Sequence, residues 1–247
     1  MNTEAIFITG ASSDLAMGLI RSLMKTSHPP RVLAHFHQGA RRIDELKAEF
    51  PSLICPLQAD LASAPEVEHL ISEVRREAGF PRKIICFAGL KLRLERFHEA
   101  NLSRFTCDFS VQVFALMRLL REFLPAMAQS QTRTKVVLML SSVTLGIPPK
   151  FMSFYTVIKH AQFGLLRALA SEYAGTSINI NAISPYMVET QFLSEIPEKA
   201  RELAAAQSPL HRLVTPHEVV EVIEFLLSPA SDCLNGVNIP VTGGTAY

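Results

Sequence analysis

Short apolar runs rich in β-branched residues alternate along this chain with longer stretches of helical periodicity, and that alternation limits the folds open to it. AIFIT at 5–9, RVLAHF at 31–36, SLICPLQ at 52–58, KIICFA at 83–88, KVVLML at 135–140 and SININ at 177–181 read as strands, with VNIPV at 237–241 as the last. Amphipathic stretches at 14–26, 39–49, 63–78, 101–128, 152–174 and 215–227 lie between them. Strands that are apolar on both faces need cover on both, which a parallel sheet with crossover helices supplies. The expected fold is α/β, a doubly wound parallel sheet of about seven strands with helices on both faces. No Pro/Gly/Ser-rich linker and no repeat divides the 247 residues, so one domain over 1–247 is expected. The stretch from about 186 to 214 lacks strand character, and a segment of that length beside a rigid sheet is a candidate substrate lid.

Composition narrows the function classes. A formal charge of +1 leaves no electrostatic footprint for nucleic acid or an anionic membrane, and no segment reaches the roughly 20 apolar residues of a membrane helix. The N-terminal apolar run is short and has no basic flank, unlike a signal peptide. Cys55, Cys86, Cys107 and Cys233 stand far apart, with no Cys-x-x-Cys pair and no histidine spacing that suggests a metal site. Free thiols in a reduced cytoplasm are expected.

The first strand runs into TGASSDLAMG at 9–18, which opens a helix. In a Rossmann-type sheet the first βα turn offers backbone N–H groups and a positive dipole end to a pyrophosphate. Gly10 permits a tight turn and close approach, while Thr9, Ser12 and Ser13 add hydroxyl donors. Ser12, Ser13 and Asp14 are equally good helix caps. Further on, Tyr155 and Lys159 are four residues apart in SFYTVIK, so a helix places them on one face. A Tyr-x-x-x-Lys of this kind also arises by chance, and its context has to decide.

That context resembles the short-chain dehydrogenases/reductases nearly end to end. Their cofactor loop, Thr-Gly-x-x-x-Gly-x-Gly, is matched at Thr9 and Gly10, with Asp14 and Ala16 where glycines are usual; Leu15 lies between them. The resemblance implies that Asp60 and Leu61 in QADLA meet the adenine. CFAG at 86–89 takes the place of Asn-Asn-Ala-Gly and keeps Ala88 and Gly89. Ser142 lies thirteen residues before Tyr155, the family spacing for its catalytic pair, and INAISPYMVET keeps Pro185, Val188 and Thr190 in register with Tyr186 in place of a glycine. Gln112 falls where the family has a helix asparagine, and the resemblance implies that its amide could hold a water relaying protons to Lys159. An Asp at position 14 must turn away from a bound phosphate.

Residue chemistry agrees with that assignment. Hydride delivery to a ketone leaves charge growing on oxygen, which needs a proton and hydrogen-bond donors. Tyr155 would supply the proton, Lys159 would stabilise its phenolate and hold the ribose, and Ser142 would hold the carbonyl oxygen. No acidic residue stands at the end of the second strand, where His35, His37, Gln38, Arg41 and Arg42 suit a 2′-phosphate, so NADP(H) is expected over NAD(H). Apolar residues in the lid (Met187, Phe192, Leu193, Ile196) and before Tyr155 (Phe151, Met152, Phe154) suit an apolar or extended carbonyl substrate. The resemblance is to ketoacyl-carrier-protein reductases and related ketoreductases. It implies a 3-oxoacyl thioester or small-molecule carbonyl as substrate and a homotetramer or homodimer built on the helices at 101–128 and 152–174. An alcohol or sugar dehydrogenase working in the oxidising direction, and a non-catalytic NAD(P)-binding relative, remain open alternatives.

Overall fold

The protein's structure, a computed structural model, describes residues 4–245. Its strands are β1 (Ala5–Thr9), β2 (Arg31–Phe36), β3 (Ile54–Gln58), β4 (Lys83–Cys86), β5 (Thr134–Met139), β6 (Ile178–Pro185) and β7 (Asn238–Val241). They form one sheet in the order β3-β2-β1-β4-β5-β6-β7, every neighbouring pair parallel. The helices are α1 (Asp14–Leu23), α2 (Ala40–Glu49), α3 (Ala64–Ala78), α4 (Leu102–Phe109), α5 (Ala115–Ala128), α6 (Ser153–Glu172), α7 (Glu198–Gln207) and α8 (Pro216–Leu227). Among the described residues no helix is long and apolar enough to cross a membrane.

Strand periodicity sorts the core into two layers. In β1, Ile6 and Ile8 join Leu19, Ile20 and Ile223 on the face covered by α1 and α8, while Phe7 joins Leu70, Leu119 and Phe123 on the face covered by α3 and α5. Each of these side chains is fully buried or nearly so. Such burial contributes roughly 1.5–3 kcal/mol per side chain. The sheet is therefore a rigid floor, and its strand order reverses between β1 and β4, the place where a parallel sheet leaves a crevice at its carboxyl edge.

Several element boundaries differ from the sequence expectation. β6 runs on to Pro185, because Ala182–Pro185 pair with Asn238–Val241 of β7. β4 stops at Cys86, after which Phe87 N–H still reaches Thr9 O at 3.0 Å before the chain turns away. The helix expected over 101–128 is divided by a π-turn at Ser110–Phe114, where Ala115 N–H reaches back five residues to Ser110 O. The segment 186–214 holds α7 and a short 3₁₀ turn at Gln191–Leu193, and an isolated bridge between Val188 and Val214 ties its two ends together.

Gly10 marks where the first turn meets the end of β4. Its φ is +69°, and a Cβ added there would lie 2.8 Å from Ala88 N and 2.9 Å from Ala88 Cα. Both obstacles are backbone, so neither swings aside. Gly10→Ala is expected to cost about 1–3 kcal/mol in left-handed strain alone and to lower the midpoint of thermal unfolding by several degrees, measured by circular dichroism. An unchanged midpoint would show that the two chains are free to separate.

Candidate active site

Helix α6 buries Ile158, Lys159, Gln162, Leu166 and Ala170 along one stripe, so two polar side chains enter an otherwise apolar face. Lys159 is 5% exposed, and its Nζ donates to Met139 O at 2.8 Å and to Gln162 Oε1 at 3.0 Å. Burial lowers its pKa to about 8 against the upward pull of Asp108 and Cys86. Tyr155, one turn earlier, keeps part of its surface open to the adjoining cavity, with the ammonium 5.6 Å from its ring centre. Burial pushes its phenol up to about 12; a hydrogen bond from Ser141 works against that rise, and the Asp108 charge adds to it. In the free enzyme desolvation therefore dominates the Tyr155 pKa, where the sequence had suggested the lysine.

Strand β5 delivers both serines to the same space. Ser141 caps the 3₁₀ turn at Ser142–Thr144, and both residues line the cavity beside Tyr155 and Lys159. Ser141, one residue before the serine singled out by spacing, is the one that lowers the phenol pKa.

This cavity, about 750 Å³ in volume, continues from the Tyr155 end to the first βα turn. Gly10, Ser12, Ser13, Asp14 and Leu15 line it there, with His37, Asp60 and Leu61 further along. Ala88 and Gly89 form part of its floor, and Pro185, Val188 and Thr190 part of its roof. Thr9 does not reach it. That residue is 2% exposed within the sheet, level with Cys86 of β4.

Asp14 resolves the charge conflict expected of it. One carboxylate oxygen accepts from Arg42 Nη2 at 2.6 Å and the other from Gln191 N–H at 2.6 Å, so the group faces α2 and the 3₁₀ turn of the 186–214 segment. Ser13 Oγ caps α1 by accepting from Ala16 N–H at 3.4 Å, and Ser12 Oγ donates to Gln38 O at 2.9 Å. The turn is thus held without spending all its backbone N–H groups. A glycine that no side chain could replace, a capped helix start and a continuous cavity fit a dinucleotide's pyrophosphate.

His35 departs from the expected role of a cation for a 2′-phosphate. It is 2% exposed; Nδ1 accepts from Gly10 N–H at 3.2 Å and Nε2 donates to Ala59 O at 3.1 Å. The bond from Gly10 N–H needs an unprotonated Nδ1 and hence the neutral ring, and burial takes its pKa down to about 4. The residue braces the first turn against the end of β3.

Gln112 lines the cavity too, with its side chain engaged by a neighbouring carboxylate. Its Nε2 donates to Asp108 Oδ1 at 2.7 Å, and its amide packs on Gly89, where a Cβ would come within 3.0 Å of Gln112 Cδ. Its link to Lys159 runs through its main-chain carbonyl, which accepts from Gln162 Nε2 at 2.8 Å. Gln162 and Asp108 escaped the sequence reading. The only signals were a glutamine on an apolar helix stripe three residues after Lys159, and a carboxylate four residues before Gln112. The apolar residues before Tyr155 divide: Met152 lines the cavity, whereas Phe154 packs against Phe105 with ring centres 4.6 Å apart and Phe151 is exposed. Met187, Phe192 and Leu193 line the cavity, while Ile196 is buried behind it.

A sequence profile described as enoyl-(acyl carrier protein) reductase matches residues 31–246. The chain belongs to the short-chain dehydrogenase/reductase family. It is an oxidoreductase of that family, 27% identical over 250 residues to a 3-oxoacyl-[acyl-carrier-protein] reductase of Pseudomonas aeruginosa, covering 98% of this chain and 96% of the relative. Among solved structures, a 3-ketoacyl-(acyl-carrier-protein) reductase from Brucella melitensis complexed with NADH superposes with a TM-score of 0.88 at 21% identity, over 99% of this chain and 98% of that one. ElxO with NADP bound superposes with a TM-score of 0.85 at 20% identity, over 98% of each chain. The family's doubly wound sheet is the one found here.

The His35 brace has a pH signature. Its folded pKa of about 4 lies below the ordinary 6.5, so the unfolded chain binds the extra proton in that window. Stability is full above pH 6.5 and is lost as pH falls towards 4, by about 3 kcal/mol in all. Urea unfolding across that range should show this slope, and His35→Gln should flatten it. An equally steep slope in the variant would assign the effect to other groups.

Proposed function

We propose that this enzyme is an NADP(H)-dependent ketoreductase acting on an extended carbonyl substrate such as a 3-oxoacyl thioester. The observation that carries this reading is that Tyr155, Lys159, Ser141 and Ser142 open into the same cavity as the Gly10 turn. A nicotinamide cofactor, when bound, supplies the hydride.

The chain's own residues do the rest. Backbone N–H groups of the first turn and the α1 dipole hold the pyrophosphate, with Asp60 and Leu61 at the adenine end and Pro185, Val188 and Thr190 at the nicotinamide end. Ser142, with Ser141 beside it, presents hydroxyl donors to the carbonyl oxygen, where negative charge grows as the carbonyl is reduced. Tyr155 gives that oxygen its proton, and Lys159 is the cation nearest the phenolate left behind. The cavity's apolar part, with Met152, Met187, Phe192 and Leu193, receives the substrate chain. Tyr155→Phe is expected to lower turnover of a ketoacyl thioester at least about 100-fold while NADPH affinity, read by fluorescence, stays within a few-fold. Turnover at the wild-type rate would remove Tyr155 from the reaction.

Arg42 supports the preference for NADP(H). It lines the cavity from the first turn of α2, part-exposed and paired with Asp14, where a 2′-phosphate would meet its remaining guanidinium N–H groups. Arg42→Ala should raise the dissociation constant for NADPH by about tenfold or more and leave that for NADH nearly unchanged. Equal losses for both would argue for no discrimination at this position.

Lys159 sets the alkaline limit. With a pKa of about 8, its ammonium is present below that value and lost as pH rises through it. NADPH affinity and kcat/KM should therefore both decline above about pH 8. The exposed Phe114 of the π-turn, Met117 of α5 and Val157 of α6 support a homodimer or homotetramer, a point that light scattering at micromolar concentration would decide.

A further inference from the structure

Between Lys159 and the π-turn lies a side chain that the mechanism has not yet used. Gln162 is 4% exposed, Lys159 5% and Gln112 3%, so the three residues meet in a dry contact between two helices. Gln162 Oε1 accepts from Lys159 Nζ at 3.0 Å, and Gln162 Nε2 donates to Gln112 O at 2.8 Å. Only one orientation of the amide satisfies both partners. The reverse would set its NH₂ against the ammonium and its oxygen against the carbonyl. The contact falls where Ala115 N–H reaches back to Ser110 O, in the widened turn that contains Gln112.

We propose that Gln162 is the positioning residue for Lys159, clamping its ammonium to the Gln112 carbonyl across the two helices and helping to keep it protonated. This rests on the reading of Lys159 given above. The ammonium has two oxygen acceptors in the protein, Met139 O and Gln162 Oε1, and both are neutral. Each favours the charged form against the cost of burial. A neutral side-chain amide donates through one end and accepts through the other and does not titrate near neutral pH. Gln162 thus orients Lys159 without relaying protons, and Lys159 also lines the cavity. The titratable groups facing it are Asp108 from α4, Cys86 from β4 and Tyr155 on its own helix. None of them changes in the variants that test the clamp.

Two substitutions should move Lys159 in opposite directions. Gln162→Leu removes an acceptor, and Gln162→Glu replaces a neutral oxygen with a carboxylate. The Lys159 side-chain carbon next to Nζ can be titrated by NMR in cofactor-free protein carrying ¹³C-lysine, with Lys159→Met to assign the signal. Relative to wild type, the Leu variant should titrate about one unit lower and the Glu variant about one unit or more higher, a tenfold change per unit in the protonation equilibrium. The alkaline limb of kcat/KM should follow each shift. A packing role would damage both variants alike and leave the Lys159 titration where it was, and that result overturns the proposal. Should the Leu variant not fold, the Glu variant decides alone, an upward shift supporting the clamp and no shift refuting it. If Lys159 titrates as expected while the alkaline limb stays fixed, the clamp stands and the catalytic reading of Lys159 falls.

Discussion

The close approach of Gly10 to the backbone at Phe87 and Ala88 is the constraint on which the site depends. Parallel pairing of β1 with β4 brings Thr9 level with Cys86, so the two chains leave the sheet side by side at its carboxyl edge. With a side chain at position 10 they would collide. Because they do not, the first turn packs against the end of β4, and Gly10, Ser12 and Ser13 line the cavity there. His35 then fixes the turn from the other side through Gly10 N–H, and Ala59 O fixes His35. The ends of four strands, β1, β2, β3 and β4, are locked together through one glycine and one neutral imidazole. The cofactor end of the cavity is consequently built before anything binds, which limits the ordering cost of binding.

The 186–214 segment is tied to this frame by main-chain and side-chain bonds. Leu92 N–H bonds Phe192 O, and Gln191 N–H bonds Asp14. The second of these joins the roof of the cavity to the helix that would face the phosphates. Asp14 also holds Arg42, so one carboxylate touches the turn, the roof and the 2′-phosphate candidate. This gives a physical reason for an acidic residue where the family commonly has glycine. The charge is spent on two donors, Arg42 on α2 and the main chain of the 186–214 segment.

Features encoded locally were legible in the sequence, and features made by long-range pairing were not. The strands β1, β2 and β5 stood out because apolar runs between helical patterns report two-sided burial without reference to any partner. The end of β6 did not, since ISP becomes a strand only by meeting Asn238–Val241 more than fifty residues later. Tyr155 and Lys159 were visible because i, i+4 spacing on a helix is a local rule. The π-turn at Ser110–Phe114 leaves no residue signature, and it redirects Gln112 so that its carbonyl, and not its amide, serves the lysine. His35 and Thr9 were misjudged for one reason: both stand at strand ends, where residues facing the crevice and residues facing the core share the same sequence position pattern. His35 is turned inward by Ala59, just past the end of β3, while Thr9 lies buried level with Cys86 of β4.

Two buried lysines show how the fold separates structure from chemistry. Lys135, 3% exposed in β5, donates to Asp232 Oδ1 at 2.5 Å and to Ser231 Oγ at 3.1 Å. Its charge is matched by a carboxylate, and the pair fastens the sheet to the turn after α8. Lys159 is just as buried, but its partners are a main-chain carbonyl and a side-chain amide. Neutral oxygens orient an ammonium and offset part of its desolvation, yet leave its net charge uncancelled. A direct carboxylate partner would hold the cation more strongly and also screen it from a phenolate or a ribose hydroxyl. The nearest carboxylate, Asp108, is instead engaged by Leu90 N–H and the Gln112 amide, and it acts on Lys159 only through its field. The helix pair therefore keeps Lys159 charged enough to act near neutral pH and unpaired enough to act on something else.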